Sequence, residues 1–299
     1  MAHSHAHFDR KVNQYLQDNK ATAEKISPIP LATSKNYTTF VHKKINTPMK
    51  RTTLPLLAAL LLALLAACNR HAAPATPTAI AIDERNFPDP NLRAFLLTQP
   101  YGADSLLTTD EIAAVTSLNL SSLDIADLTG IHHFTALKDL ACVDNRLDSL
   151  SLDSFPRLNY LNCAGNRLTT LRLTNLPHLN YLGCGQNRLT TLDLSHLPDL
   201  HAIDCPDNQL VALDFTHNPT IASIFCCGNQ LNAQAVDTLV SSLHRNTTDL
   251  HNTIYLYNRH NPADHNTCTP QQVAAARAKG WTIYHRIAED WQKYDGTPD

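Results

Sequence analysis

Five cysteines, Cys142, Cys163, Cys184, Cys205 and Cys226, recur at a step of 21 residues. Thiols at a fixed step admit four roles: a disulfide stack, a bound metal, a reactive surface, or packing alone. On stacked strands, equivalent residues lie about 4.8 Å apart, close enough for a disulfide by distance. Their Cβ vectors then point the same way, which matches the required torsion poorly. A metal needs three or four thiolates converging on a point, and a straight ladder spreads them out. A reactive thiol needs partial exposure and a nearby positive charge, and these cysteines stand among leucines. Packing as a small apolar side chain is the expected role.

Two further cysteines differ. Cys227 is expected to face outward, and Cys268 lies in the segment "HNTC". In an oxidising periplasm these two could pair. His265 stands near Cys268 as a base might stand near a thiol nucleophile, but no orienting or oxyanion-hole group accompanies them. No catalytic residue is assigned. The sixteen histidines are mostly scattered singly, so neither a metal ion nor a cofactor is expected. A net charge of −3 gives no electrostatic case for nucleic acid as a partner.

The elements that position the cysteines keep the same step. Leu137, Leu158, Leu179, Leu200 and Ile221 follow it, as do Leu140, Leu161, Leu182, Ile203 and Ile224. So do Asn145, Asn166, Asn187, Asn208 and Asn229, with Pro156, Pro177, Pro198 and Pro219. The pattern LxxLxCxxNxLxxLxL resembles leucine-rich repeats, especially the cysteine-bearing ones of bacterial surface and secreted proteins. The resemblance covers about residues 115–232 and implies one short strand per turn in a parallel concave sheet. A proline in a turn this short leaves little room for a helix on the convex side. The asparagines are expected to bond backbone groups where each strand turns away.

The expected fold class is therefore α/β: a leucine-rich-repeat solenoid with β-rich turns, a helical N-terminal cap and a mixed α/β C-terminal cap. The N-terminal cap is placed at 80–115, with Asp89 and Pro90 opening one helix and Thr108 and Glu111 opening a second. In similar caps an acidic loop of EF-hand type occurs; "YGADSLL" lacks its ligand series, so calcium does not carry over. Repeats occupy 116–232, and the C-terminal cap and tail 233–299. That cap is read as a helix at 233–244, a strand at 253–257, a helix from Thr269 and Pro270 to Gly280, and a strand at 281–285.

Upstream, "MKRTTLPLLAALLLALLAAC" has a basic start at Met49, an apolar run too short to span a bilayer, and "LAAC" ending at Cys68. This resembles a lipoprotein signal peptide, 49–67, followed by a lipidated Cys68 and a tether, 68–79. The alternative is an internal membrane anchor. Residues 1–48 show no sustained period and are expected to be a disordered extension ahead of the true start at Met49. Asn69 follows Cys68 where an aspartate would favour inner-membrane retention, so the resemblance implies the outer membrane, facing either the periplasm or the outside.

Strand alternation assigns the exposed face. If the cysteines point inward, Asp139, Tyr160, Asn162, Tyr181, Asp204 and Phe225 point outward as the candidate ligand-binding surface. Tyr160 and Tyr181 are expected side by side, left accessible by Ala164, Gly183 and Gly185. Exposed aromatics flanked by polar groups are usual anchors of a contact. Tyrosine also simply favours strands, which is the plainer account. By resemblance the function is non-enzymatic recognition of a protein by a monomeric, membrane-anchored chain. A glycan ligand or a purely structural envelope role are alternatives, and a hydrolase using the C-terminal cap is a third.

Overall fold

The computed structural model describes residues 79–153, 155–246, 252–287 and 290–295. The expected extension, signal peptide and Cys68 lie outside the described residues, as does nearly all of the tether.

The chain opens with β1 (Ile80–Ala81), α1 (Pro90–Thr98), β2 (Leu106–Leu107) and α2 (Thr109–Ala114). Asp89 caps α1 by accepting from the Asn91 and Leu92 amides at 2.9 and 3.0 Å. Its second oxygen accepts from Ala126 and Asp127 at 2.8 and 3.2 Å, so one carboxylate ties the cap helix to the first turn of the solenoid. Burial alone would raise the Asp89 pKa, but these four amides hold it below its ordinary value. Thr108 and Glu111 cap α2 reciprocally.

The repeat region supplies β3 (Ser117–Asn119), β4 (Asp139–Ala141), β5 (Ser149–Leu152), β6 (Tyr160–Asn162), β7 (Thr170–Leu173), β8 (Tyr181–Gly183), β9 (Ala202–Asp204) and β10 (Ser223–Phe225). Strands β3, β4, β6, β8, β9 and β10 pair in parallel, in that order. Each carries one apolar residue inward between two that face out. The turns on the other side are largely irregular; among the described residues only β5 and β7 pair there, and Ile131–His133 form a 3₁₀ turn. The four repeat prolines are exposed at those turns.

All five ladder cysteines are fully buried free thiols in the apolar core. Burial pushes the Cys142 thiol up to about 12 and the other four well above their ordinary value. A neutral thiol is a soft apolar spacer, and the packing role holds. The asparagines are the backbone clamps expected of them. Asn166 donates to the carbonyls of Cys142 and Cys163, both at 3.0 Å, and accepts from the Leu147 amide at 3.0 Å. The residue immediately before this asparagine in each turn adopts a left-handed backbone: Asp144, Gln186 and Asp207 do so without being glycine. Losing a clamp leaves buried amides unpaired, at about 1–3 kcal/mol for each group.

After the repeats come α3 (Ala233–Ser242), β11 (Asn252–Asn258), α4 (Pro270–Ala278), β12 (Trp281–Ile287) and β13 (Asp290–Lys293). The helices and strands of this end fall close to their expected ranges. Their relation to the repeats was not foreseen. β11 adds in parallel to β10, and β12 adds in parallel to β11, with Ile224, Ile254 and Ile283 in register. The end therefore continues the long sheet, with α3 and α4 replacing the irregular turns. Asn266 continues the asparagine ladder, accepting from Leu231 at 2.8 Å and donating to Cys226 and Leu256 at 2.9 and 2.7 Å. Among the described strands of this long sheet, only β13 runs antiparallel.

Candidate functional site

The open face of the long sheet is built from two rows of outward residues. Along the first row, Asp139, Tyr160 and Tyr181 stand in register on β4, β6 and β8. Along the second, Ala141, Asn162, Gly183, Asp204 and Phe225 do so from β4 to β10. Asp139 is exposed, and Tyr160, Asn162, Asp204 and Phe225 are half-buried. All five lie on the face that alternation assigned to them.

Tyr181 lies on that face too, yet it is buried at 9% exposure, and Gly183 and Gly185 are buried with it. The expectation of an accessible Tyr181 is corrected. The Tyr160 and Tyr181 rings stack with centroids 4.8 Å apart and planes within 8°. The Tyr181 ring extends over Gly183: a Cβ there would sit 3.2 Å from its Cε1 and 2.8 Å from the Asn162 Oδ1. The missing side chain is a bed for the ring, not an opening beside it. At its far end the Tyr181 hydroxyl bonds Asp204; burial first, then that carboxylate and Tyr160, push its pKa up. Tyr160 keeps the exposed share of the pair, with Asn162 donating to its hydroxyl at 3.3 Å.

Cys227 is also corrected, from outward to buried at 4% exposure. The loop after β11 folds over it: Asn261 reaches back to Asp207 at 2.7 Å, and the Cys227 thiol feels the Asp264 carboxylate. Cys227 and Cys268 are both free thiols. Burial, then Asp237, raises the Cys268 pKa to about 12, which holds it as a thiol and not as the thiolate a nucleophile requires. His265 is exposed beside it in sequence. Among the described residues no three His, Cys, Asp or Glu side chains converge on a point that would hold an ion.

The C-terminal end contributes aromatics that the sequence reading left out. Phe225, Tyr255 and Tyr284 are in register on β10, β11 and β12. Tyr255 stacks on Tyr284 at 5.1 Å, and Phe225 lies 5.3 Å from Tyr255. Trp291 of β13 stands edge-on to Phe225 and Tyr255, 5.1 Å from each. The signal was present: "TIY" occurs at 253–255 and again at 282–284, matching "SIF" at 223–225. The lengthened steps between the copies hid it.

No protein-family model matches the sequence, and no curated protein matches it. In structure the chain is similar to an internalin, InlF, of Listeria monocytogenes, with 19% identity and a TM-score of 0.53 over 71% of this chain and 61% of that one. It thus spans less than two thirds of that internalin's length. A leucine-rich-repeat protein of Leptospira interrogans is 19% identical, with a TM-score of 0.47 over 61% of this chain and 45% of that one. The fold is that of a leucine-rich-repeat solenoid.

Proposed function

We propose that the chain is a non-enzymatic recognition module of a bacterial envelope, anchored by lipid at Cys68 to the outer membrane, whose open sheet face binds a protein. The half-buried aromatic surface carries this reading. Tyr160, Phe225, Tyr255 and Tyr284 present ring area on a rigid sheet, with the three tyrosine hydroxyls and neighbouring polar groups for orientation. Rings held by a scaffold lose little freedom on binding, which suits them as anchors. The solenoid fold shared with the Listeria internalin supports the reading by analogy alone.

Two experiments test it. Capture of a partner from envelope extracts is compared between the wild-type chain and the variants Tyr160→Ala and Tyr255→Ala. Loss of capture is expected in both variants, with the native fold retained although Tyr255→Ala forfeits ring contacts and stability, and retention in both variants would reject the face as the binding surface. Metabolic labelling with radioactive palmitate tests the anchor: Cys68→Ser should remove all label, and label surviving that change would refute lipidation there.

A further inference from the structure

The charge on this face is one-sided. Over the strands β3 to β10 the two outward rows contain two carboxylates, Asp139 and Asp204, and three aromatic rings, and no lysine, arginine or histidine. Asp204 is engaged by the Tyr181 hydroxyl. Asp139 is exposed, and among the described residues its carboxylate makes no ion pair, not even with its chain neighbour Lys138.

Position joins the carboxylate to a ring. Tyr160 lies in register between Asp139 on one side and Tyr181 on the other. Tyr181 takes one face of the Tyr160 ring by stacking. The other side of Tyr160 is the side on which Asp139 stands, and Ala141, the next outward residue of β4, has only a methyl group there. The face of an aromatic ring is electronegative and attracts a cation held within about 6 Å. A carboxylate beside that face adds a directional acceptor. Guanidinium fits both demands, because it is planar enough to lie on a ring and presents paired donors to a carboxylate.

We propose that Asp139 and Tyr160 together receive a cationic side chain, an arginine by preference, from the protein segment that docks on this face. The inference rests on the reading of that face as a protein-binding surface and narrows the partner to one that presents a basic residue. The guanidinium plane lies against the Tyr160 ring while its donors meet the Asp139 carboxylate. Asp204, two strands beyond Tyr181's partner ring, keeps the centre of the face unfavourable to acidic segments.

The probes are three synthetic peptides, acetyl-Gly-Arg-Gly-Arg-Gly-amide and its lysine and glutamate counterparts, titrated into the full chain by calorimetry. The arginine peptide should bind, the lysine peptide more weakly, and the glutamate peptide not at all. Tyr160→Leu should weaken the arginine peptide by about 2–5-fold, the usual worth of an exposed cation–π contact. Asp139→Asn should weaken it further and flatten its salt dependence, whereas Asp148→Asn, away from the two rows, should leave it unchanged. Both substituted residues are at least partly exposed, and thermal melts of each variant check that folding is retained. Equal binding of the arginine and glutamate peptides, no binding of the arginine peptide, or undiminished binding by Asp139→Asn would each overturn the proposal. If partner capture is lost in Tyr160→Ala while the arginine peptide fails to bind, the cation assignment falls and the protein-binding reading stands.

Discussion

Two aromatic groups share one sheet face and are held differently. In the repeats, Tyr160 and Tyr181 are consecutive copies of one position, and the regular strand spacing sets their rings parallel. Glycine beside one of them lets that ring lie down and reach Asp204, so one tyrosine is buried and its twin is not. At the C-terminal end, Phe225, Tyr255 and Tyr284 come from strands joined by much longer connections, and an edge-on Trp291 from an antiparallel strand closes on them. Repetition makes the first group self-supporting. The second depends on a partner strand outside the repeat. Identical placement on a face thus says little about whether a side chain is scaffold or surface.

The largest expected effect tests the asymmetry within the first group. Tyr181→Ala should destabilise the chain by about 3–5 kcal/mol in chemical denaturation, as for removal of a buried aromatic, because it empties the bed over Gly183 and deprives Asp204 of its donor. Tyr160→Ala should cost far less; equal losses would break the distinction between scaffold and surface. Next come the clamps beneath each group. Asn166→Ala and Asn266→Ala should each lower stability by about 2–3 kcal/mol, since each leaves buried backbone groups unpaired. A much smaller loss at Asn266 would show that the C-terminal end is only appended to the repeats.

Trp291→Ala should cost about 1–2 kcal/mol through its two ring contacts and raise hydrogen exchange in β11 and β12, leaving β6 and β8 protected. Spread of that exchange into the repeats would show the two groups to be one cooperative unit. Acid gives the smallest effect and separates histidines shifted by burial from the Asp89 cap. Burial, then Arg259, lowers the pKa of His285, whose ring packs 4.8 Å from that of Tyr294 under β13. Its contribution is present above about pH 6.5 and is lost as the pH falls from there through the folded-state value. Asp89, also lowered, contributes above its ordinary value of 3.8 and loses that contribution only below it. On acid titration followed by residue-resolved NMR, β12 around His285 and the contact of His133 with Phe87, where burial also lowers the histidine pKa, should respond before the amides that Asp89 caps; a first response at those amides would reverse the assignment.

The repeat step, the cysteine core, the asparagine clamps and the facing of the five full-repeat strands were legible because each follows from period and alternation. The burial of Tyr181 was not. Alternation says which side a residue points to and nothing of whether its ring stands up or lies on a neighbour, and Gly183 is a seat for that ring, not open space. Cys227 was misread for a different reason. Its cover arrives from residues beyond 258, after a helix and a strand, and no local pattern announces a contact that remote. Tyr255 and Tyr284 repeat the same motif but fall off the 21-residue step, because the chain lengthens its turns there to admit α3 and α4.

The reversal of direction at β13 bears on the association of whole molecules. Every parallel strand before it offers the next one the same row of donors and acceptors, so a solenoid edge is a template on which a second copy could stack and continue. At one end that template is overwritten by four residues running the other way, with exposed Asp290 and Lys293 at its limits. At the other end β3 is only three residues long, with α2 ending just before it. Short, charged or reversed edges resist pairing with another chain. The strand that sets Trp291 against the aromatic face thus also gives the sheet an edge of the kind that resists continuation by another chain.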